Sequence, residues 1–485
     1  MRPLNTSIHA LAVIAAALLS PLTAHGAPGD AIADAVLGQN GFTTNDPNHP
    51  DGITSPTNLA LSNAAHIAIA PGGRLYISDP DNNRVLSWPG AASFSNGAPA
   101  DMVFGQPDFA GNTPNNGGVW AGSFYLPQGL CVDESGNLWV ADAFNCRVLK
   151  FNNPMTDATP TLADLVIGQY DLVSNQQNLG NGGQGTHVAV PDGLLFPGRV
   201  VAAGGDVWVA DSGNSRVLHY QTPTANKPLA DRVFGQYGDF TCRAKNNDGS
   251  GNNNQCCATA QNLYNPIGIA LDGMGSLYIA DWNNHRVLRF DSPLASDTIA
   301  DAVIGQPNLT ANLPNNGGLL QGLQLPIDLA FDPAGRLLVA DSGNNRALAY
   351  SHPRTSGFPD AVFGQLGSFS ANSPNHGLGF DSTDASGLFG PTGVAIDSAR
   401  NVHIVDTNNM RVLRFDAPFG RPGDLNCDGL VNLNDVAPWA EAALNPTAYV
   451  AAFPNCDITL ADLNADGRID GRDVRGLVSA ILGGP

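Results

Sequence analysis

The chain has 485 residues and a formal net charge of −20, with 23 Lys and Arg against 43 Asp and Glu. A surface of that sign repels phosphate backbones and no basic cluster stands out, so nucleic acid is excluded as an expected partner. Beyond the N-terminal segment no run approaches the roughly 18 apolar residues of a transmembrane helix, so no membrane span is expected in the mature chain.

The first residues, MRPLNTSIH, carry one Arg and lead into the apolar run ALAVIAAALL, with Ala24 and Gly26 beyond it. Residues 1–26 therefore read as a secretory signal peptide cleaved after Gly26, and a secreted or cell-surface protein is expected. Seven cysteines in an exported chain can pair, leaving at least one over. Cys242 lies close to Cys256 and Cys257, Cys427 and Cys456 fall together near the C-terminus, and Cys131 with Cys146 is a further candidate pair.

From residue 30 a pattern recurs every 60 to 70 residues: an apolar strand ending in Asp, then xxNxR, then a second apolar strand. The six copies are RLYISDPDNNRVLSW, LWVADAFNCRVLKF, VWVADSGNSRVLHY, LYIADWNNHRVLRF, LLVADSGNNRALAY and VHIVDTNNMRVLRF. Such a period, built of short strands, predicts one propeller blade per copy. A second series (ADAVLGQ, ADMVFGQ, ADLVIGQ, ADRVFGQ, ADAVIGQ, PDAVFGQ) marks an outer strand ending at Gln39, Gln106, Gln169, Gln236, Gln306 and Gln365. The chain opens with an outer strand and its last repeat lacks one. The N-terminal strand should therefore close the sixth blade.

The unit PIGIALDGMGSLYIADWNNHRVLRF resembles the NHL repeat, and the resemblance extends over about residues 30–416. It implies an all-β six-bladed propeller, a fold shared by scaffolds, binding proteins, lyases and hydrolases, so it does not give function. The metal-binding histidines of the amidating-lyase branch have no counterpart, which disfavours zinc.

Asp and Arg stand five residues apart in every repeat, with Asn at the third place, as expected of a shared structural device. Departures from symmetry are more informative. Thirteen residues before each hairpin Asp stand His66, Gly129, Gly198, Gly268, Asp328 and Gly393, with Arg199 beside Gly198. His66, Asp328 and Arg199 are thus candidates for a polar site at the channel mouth, with His66 and Asp328 as candidate acid and base. Phe144 and Trp282, with His285 nearby, fall in hairpin turns on the face that carries the long Asn-rich connections, and are candidates for ligand stacking.

Residues 417–422 read as a linker to a different region at 423–485. Asp424, Asn426, Asp428, Gly429, Leu430, Asn432 and Asp435 occupy positions 1, 3, 5, 6, 7, 9 and 12 of a calcium loop. Asp462, Asn464, Asp466, Gly467, Arg468, Asp470 and Asp473 repeat that frame, with Leu430 and Arg468 offering backbone carbonyls. Helical stretches, NDVAPWAEAALN and GRDVRGLVSAIL, contain the loop ends. This region resembles a type I dockerin, a small α-helical module with two calcium ions. That resemblance implies a cohesin-like partner or cell-surface scaffold, often in polysaccharide catabolism. Loop positions 10 and 11 are Leu433 with Asn434 and Gly471 with Arg472, so the near-identity behind two-way docking is missing.

The expectation is a tethered binding or scaffold propeller. The alternative is a propeller lyase or hydrolase acting on a carbohydrate or lactone.

Overall fold

The computed structural model describes residues 31–49, 56–154, 161–181, 188–253, 257–295, 298–420, 423–426, 431–453, 456–464 and 468–482. The expected signal peptide, Cys256 and Cys427 lie outside them. Six four-stranded antiparallel sheets form the blades. The fourth is representative, with strands Pro266–Leu271, Leu277–Asp281, Arg286–Phe290 and Ala302–Ile304 from channel to rim. In the sixth, Pro391–Ile396, Val402–Asp406 and Arg411–Phe415 are completed by Ala35–Leu37, whose Val36 pairs with Leu413. The ring thus closes with the N-terminal strand, and apolar residues alternating along the strands pack each blade on the next.

The outer strands stop before their Gly-Gln pair. Gly105 has φ +92° and an added Cβ would sit 2.3 Å from the Phe124 ring, so the turn needs glycine. The Gln that follows donates from its side chain to carbonyls, as Gln106 does to Asn83 O at 3.0 Å and Thr113 O at 2.9 Å.

The repeated Asp, Asn and Arg form a buried network. In the fourth blade Asp281 Oδ2 accepts from Arg286 Nε at 2.8 Å and Asn284 Nδ2 at 2.7 Å, while Oδ1 accepts from Tyr264 N at 2.7 Å. Arg286 spends its other donors on Thr259, Asn262 and Leu309 carbonyls. Each hairpin Asn also exchanges an amide pair with an Asn of a long connection: Asn48 with Asn82, Asn115 with Asn145, Asn178 with Asn214, Asn246 with Asn284, Asn315 with Asn344, and Asn375 with Asn409. All six connection residues have positive φ, which Asn tolerates. The long connections, expected to be binding loops, are therefore pinned to the ring.

Cys131, Cys146 and Cys242 are free thiols, so neither a Cys131–Cys146 bridge nor one from Cys242 forms. Cys131 faces Ala202 of the next blade, whereas Cys146 sits in the hairpin and accepts from the Phe196 amide, so the two point to different neighbours. Cys456 is disulfide-bonded.

The C-terminal region is helical, with Val436–Leu444, Pro446–Ala452 and Val474–Ile481. Its core gathers Leu425, Ala442, Tyr449, Leu460 and Ala461. It sits on the face opposite the long connections, where Arg336 donates to Asp457 Oδ2 at 2.9 Å and stacks 3.9 Å from the Phe419 ring centroid. The expected linker is therefore packed along Phe419 and Gly420.

Candidate functional site

His66, Arg199 and Asp328 meet at the channel mouth, from the first, third and fifth blades. In strand pairing Arg199 stands opposite Ala210, as His66 does Ser78, Asp328 does Ala340 and Gly393 does Val405. Each of these partners immediately precedes a hairpin Asp. Arg199, rather than Gly198, thus holds the equivalent position, because the third blade's inner hairpin is one residue shorter.

The even blades put glycine there. An added Cβ on Gly129 would come within 2.7 Å of Arg199 Cα, on Gly268 within 2.9 Å of Asp328 Cα, and on Gly393 within 3.3 Å of His66 Cα. Each glycine lets the next blade press its polar residue toward the axis, giving an alternation of large and small around the ring.

His66 is held at both nitrogens. The Leu130 amide donates to Nδ1 at 3.1 Å, so the proton lies on Nε2, which donates to Asp328 Oδ2 at 3.1 Å. Burial, reinforced by the Arg199 charge, lowers the His66 pKa well below its ordinary value and keeps the ring neutral. Asp328 Oδ2 also accepts from Val394 N at 2.9 Å. Burial raises the Asp328 pKa, opposed by Arg199 and two backbone amides.

The remaining atoms pair by charge alone. Asp328 Oδ1 lies 3.6 Å from Arg199 Nη1, an ion pair beyond hydrogen-bond reach, and among the described residues neither it nor Arg199 Nη1 and Nε has a hydrogen bond. These groups line a cavity of about 150 Å³ that opens among the long connections.

Phe144 is 45% exposed and packs at 5.1 Å between Tyr125 and Phe196, ring centroid to centroid. Sequence reasoning missed Phe196, which is 36% exposed; it lies outside the repeat's strands, and the matching residues Leu126, Asn265, Leu325 and Gly390 are not aromatic. Trp282 is half-buried, and its buried indole N–H meets no acceptor among the described residues. His285 is tied to the next blade, because its Nδ1 accepts from Leu325 N at 3.1 Å, and burial lowers its pKa. The corresponding Asn83 and Asn345 side chains pin Leu126 and Gly390 in the same way.

In the C-terminal region the two loop ends are near copies. Asp435 Oδ1 accepts from the Leu425 and Asn426 amides at 2.8 and 3.2 Å, and its Oδ2 from Asn432 N at 2.8 Å. Asp473 repeats this with Leu463, Asn464 and Asp470 at 2.9, 3.1 and 2.9 Å. Asp424, Asp435 and Asp473 are buried, and the first loop contains no basic residue. An oxygen-only donor set of this kind fits a hard cation such as calcium. Asp428, Leu430 and Asp466 lie outside the described residues. Among those described, no group of three or more His, Cys, Asp or Glu is placed to hold a metal ion.

The NHL repeat family matches at residues 124–151, 194–220, 263–290 and 323–346, the second to fifth blades. Four of the six blades are thus NHL repeats. The mouse NHL-repeat-containing protein 4 is 30% identical over 94 residues, covering 19% of this chain. The chain spans 55% of that relative's length. Among solved structures, virginiamycin B lyase from Staphylococcus aureus is 10% identical, with 76% of this chain and 96% of that one covered and a TM-score of 0.37. A gluconolactonase from Xanthomonas campestris is 12% identical, with coverage of 79% and 98% and a TM-score of 0.41. An auxiliary nutrient binding protein from Bacteroides thetaiotaomicron is 12% identical, with coverage of 77% and 75% and a TM-score of 0.45.

Proposed function

We propose that this NHL propeller is an exported recognition protein whose channel-mouth cavity holds a small polar ligand. The observation that carries this reading is the facing pair of buried charges, Arg199 Nη1 and Asp328 Oδ1, which stand 3.6 Å apart and have no hydrogen bond among the described residues. Leaving a buried polar group unmatched costs about 1–3 kcal/mol, which a complementary ligand recovers on binding. His66 supports recognition over proton transfer, since both its nitrogens are engaged.

The C-terminal module serves as the tether, docking on a cohesin-like partner at a surface or in an extracellular assembly for polysaccharide breakdown. Asp424, Asn426, Asp428, Asn432 and Asp435, with their counterparts in the second loop, would hold two calcium ions. The ions would supply charge neutralisation that fixes the loops. Leu433, Val436, Trp439, Val474, Val478 and Leu482 line a wholly apolar hollow contributed by both loop-and-helix segments, suited to a docking protein.

A lyase or hydrolase acting on a carbohydrate or lactone remains the second reading. Asp328 favours it, because a carboxyl with raised pKa and an open oxygen suits a general base. One experiment separates the two: titrate the full chain with neutral oligosaccharides and lactones, following heat of binding and product together. Saturable heat without product supports recognition. Product formation abolished by Asp328→Asn supports the enzyme and overturns the recognition reading.

A further inference from the structure

The gap between Arg199 and Asp328 specifies what fills it. One atom bridging 3.6 Å must accept from the guanidinium and donate to Oδ1. A hydroxyl does both. A carboxylate has no proton to give and would meet Asp328 as a like charge, in a chain of net charge −20.

Size and surroundings narrow the class. A cavity of about 150 Å³ holds one six-membered ring. Phe196 stands two residues before the cavity-lining Gly198, and its ring packs on Phe144 in the neighbouring hairpin turn. Both rings are partly exposed and present apolar surface on which a sugar ring can lie.

We infer that the cavity receives the terminal residue of a neutral oligosaccharide end-on. One ring hydroxyl accepts from Arg199 and donates to Asp328, and the following residues cross Phe196 and Phe144. This rests on the cavity being a recognition site.

The test is calorimetry on the calcium-loaded full chain with an array of neutral linear oligosaccharides, a cyclic oligosaccharide of each bound sugar, sodium acetate and inorganic phosphate. Linear chains should bind and cyclic ones, lacking a terminus, should not. Arg199→Lys and Asp328→Asn should each weaken binding roughly 10- to 100-fold with unchanged circular dichroism. Phe144→Ala should weaken the linear oligosaccharides and leave their constituent monosaccharide, titrated alongside, unaffected. Equal binding of linear and cyclic probes overturns end-on recognition, and this arm needs no variant to fold. Binding of acetate or phosphate alone overturns the sugar inference while leaving a recognition site. Binding of none of the probes overturns both.

Discussion

His66 sits neutral between an amide that donates to it and a carboxylate that accepts from it, and this makes stability depend on pH. Its pKa in the folded chain lies well below the ordinary 6.5, so as pH falls through that value the unfolded chain binds a proton that the folded chain refuses. The His66 contribution is therefore complete above pH 6.5 and is lost as pH falls toward the depressed value. Urea midpoints at pH 8 and pH 5 should fall further for the wild-type chain than for His66→Gln; equal drops would refute this coupling. His66 and Asp328 were legible because titratable groups replace glycine at two of the six places counted along the chain. Arg199 was legible only as a neighbour, since counting along the chain cannot detect a hairpin one residue short. The locked state of His66 was not legible, because it depends on an amide 64 residues away.

Each hairpin is an element whose ion pair is fully buried, so removing one partner strands the other. Arg286→Met should leave the Asp281 carboxylate without its charge partner and cost about 3–5 kcal/mol, measured by chemical denaturation. Asn246→Gly keeps the positive φ but loses the amide exchange with Asn284, and should cost about 1–2 kcal/mol. The hairpin half of this device was evident from repetition. Its other half was not, because the partner Asn residues lie in connections of unequal sequence and are recognisable only by the backbone conformation they share. Polar, long and Asn-rich connections looked like binding loops for the same reason that they serve as clamps. In the C-terminal region, Asp435→Ala removes three backbone hydrogen bonds as well as a donor of the proposed calcium site. Titration should show one calcium site fewer than in the parent chain, and a chelator should lower the first thermal transition of the parent more than that of the variant.

At the scale of the whole molecule, ring closure and the packed junction join regions that are distant in sequence. Closure was legible because the strand inventory is one short at one end and one over at the other. The junction was not, since an ion pair such as Arg336 with Asp457 leaves no pattern. Arg336→Ala should release the C-terminal module, seen as faster proteolysis between residues 416 and 423 with the propeller's unfolding midpoint unchanged. The closing strand carries a further consequence, one of timing. Asp34 accepts from the Asp416 amide across 382 positions, so the first strand of the ring waits for nearly the whole propeller before it finds its partner. Until then the incomplete sixth blade offers the unpaired edge of Arg411–Phe415, and any second copy at the same stage offers a matching strand. Folding at high concentration should therefore yield dimers that have traded Ala35–Leu37, each ring sealed by the other's first strand.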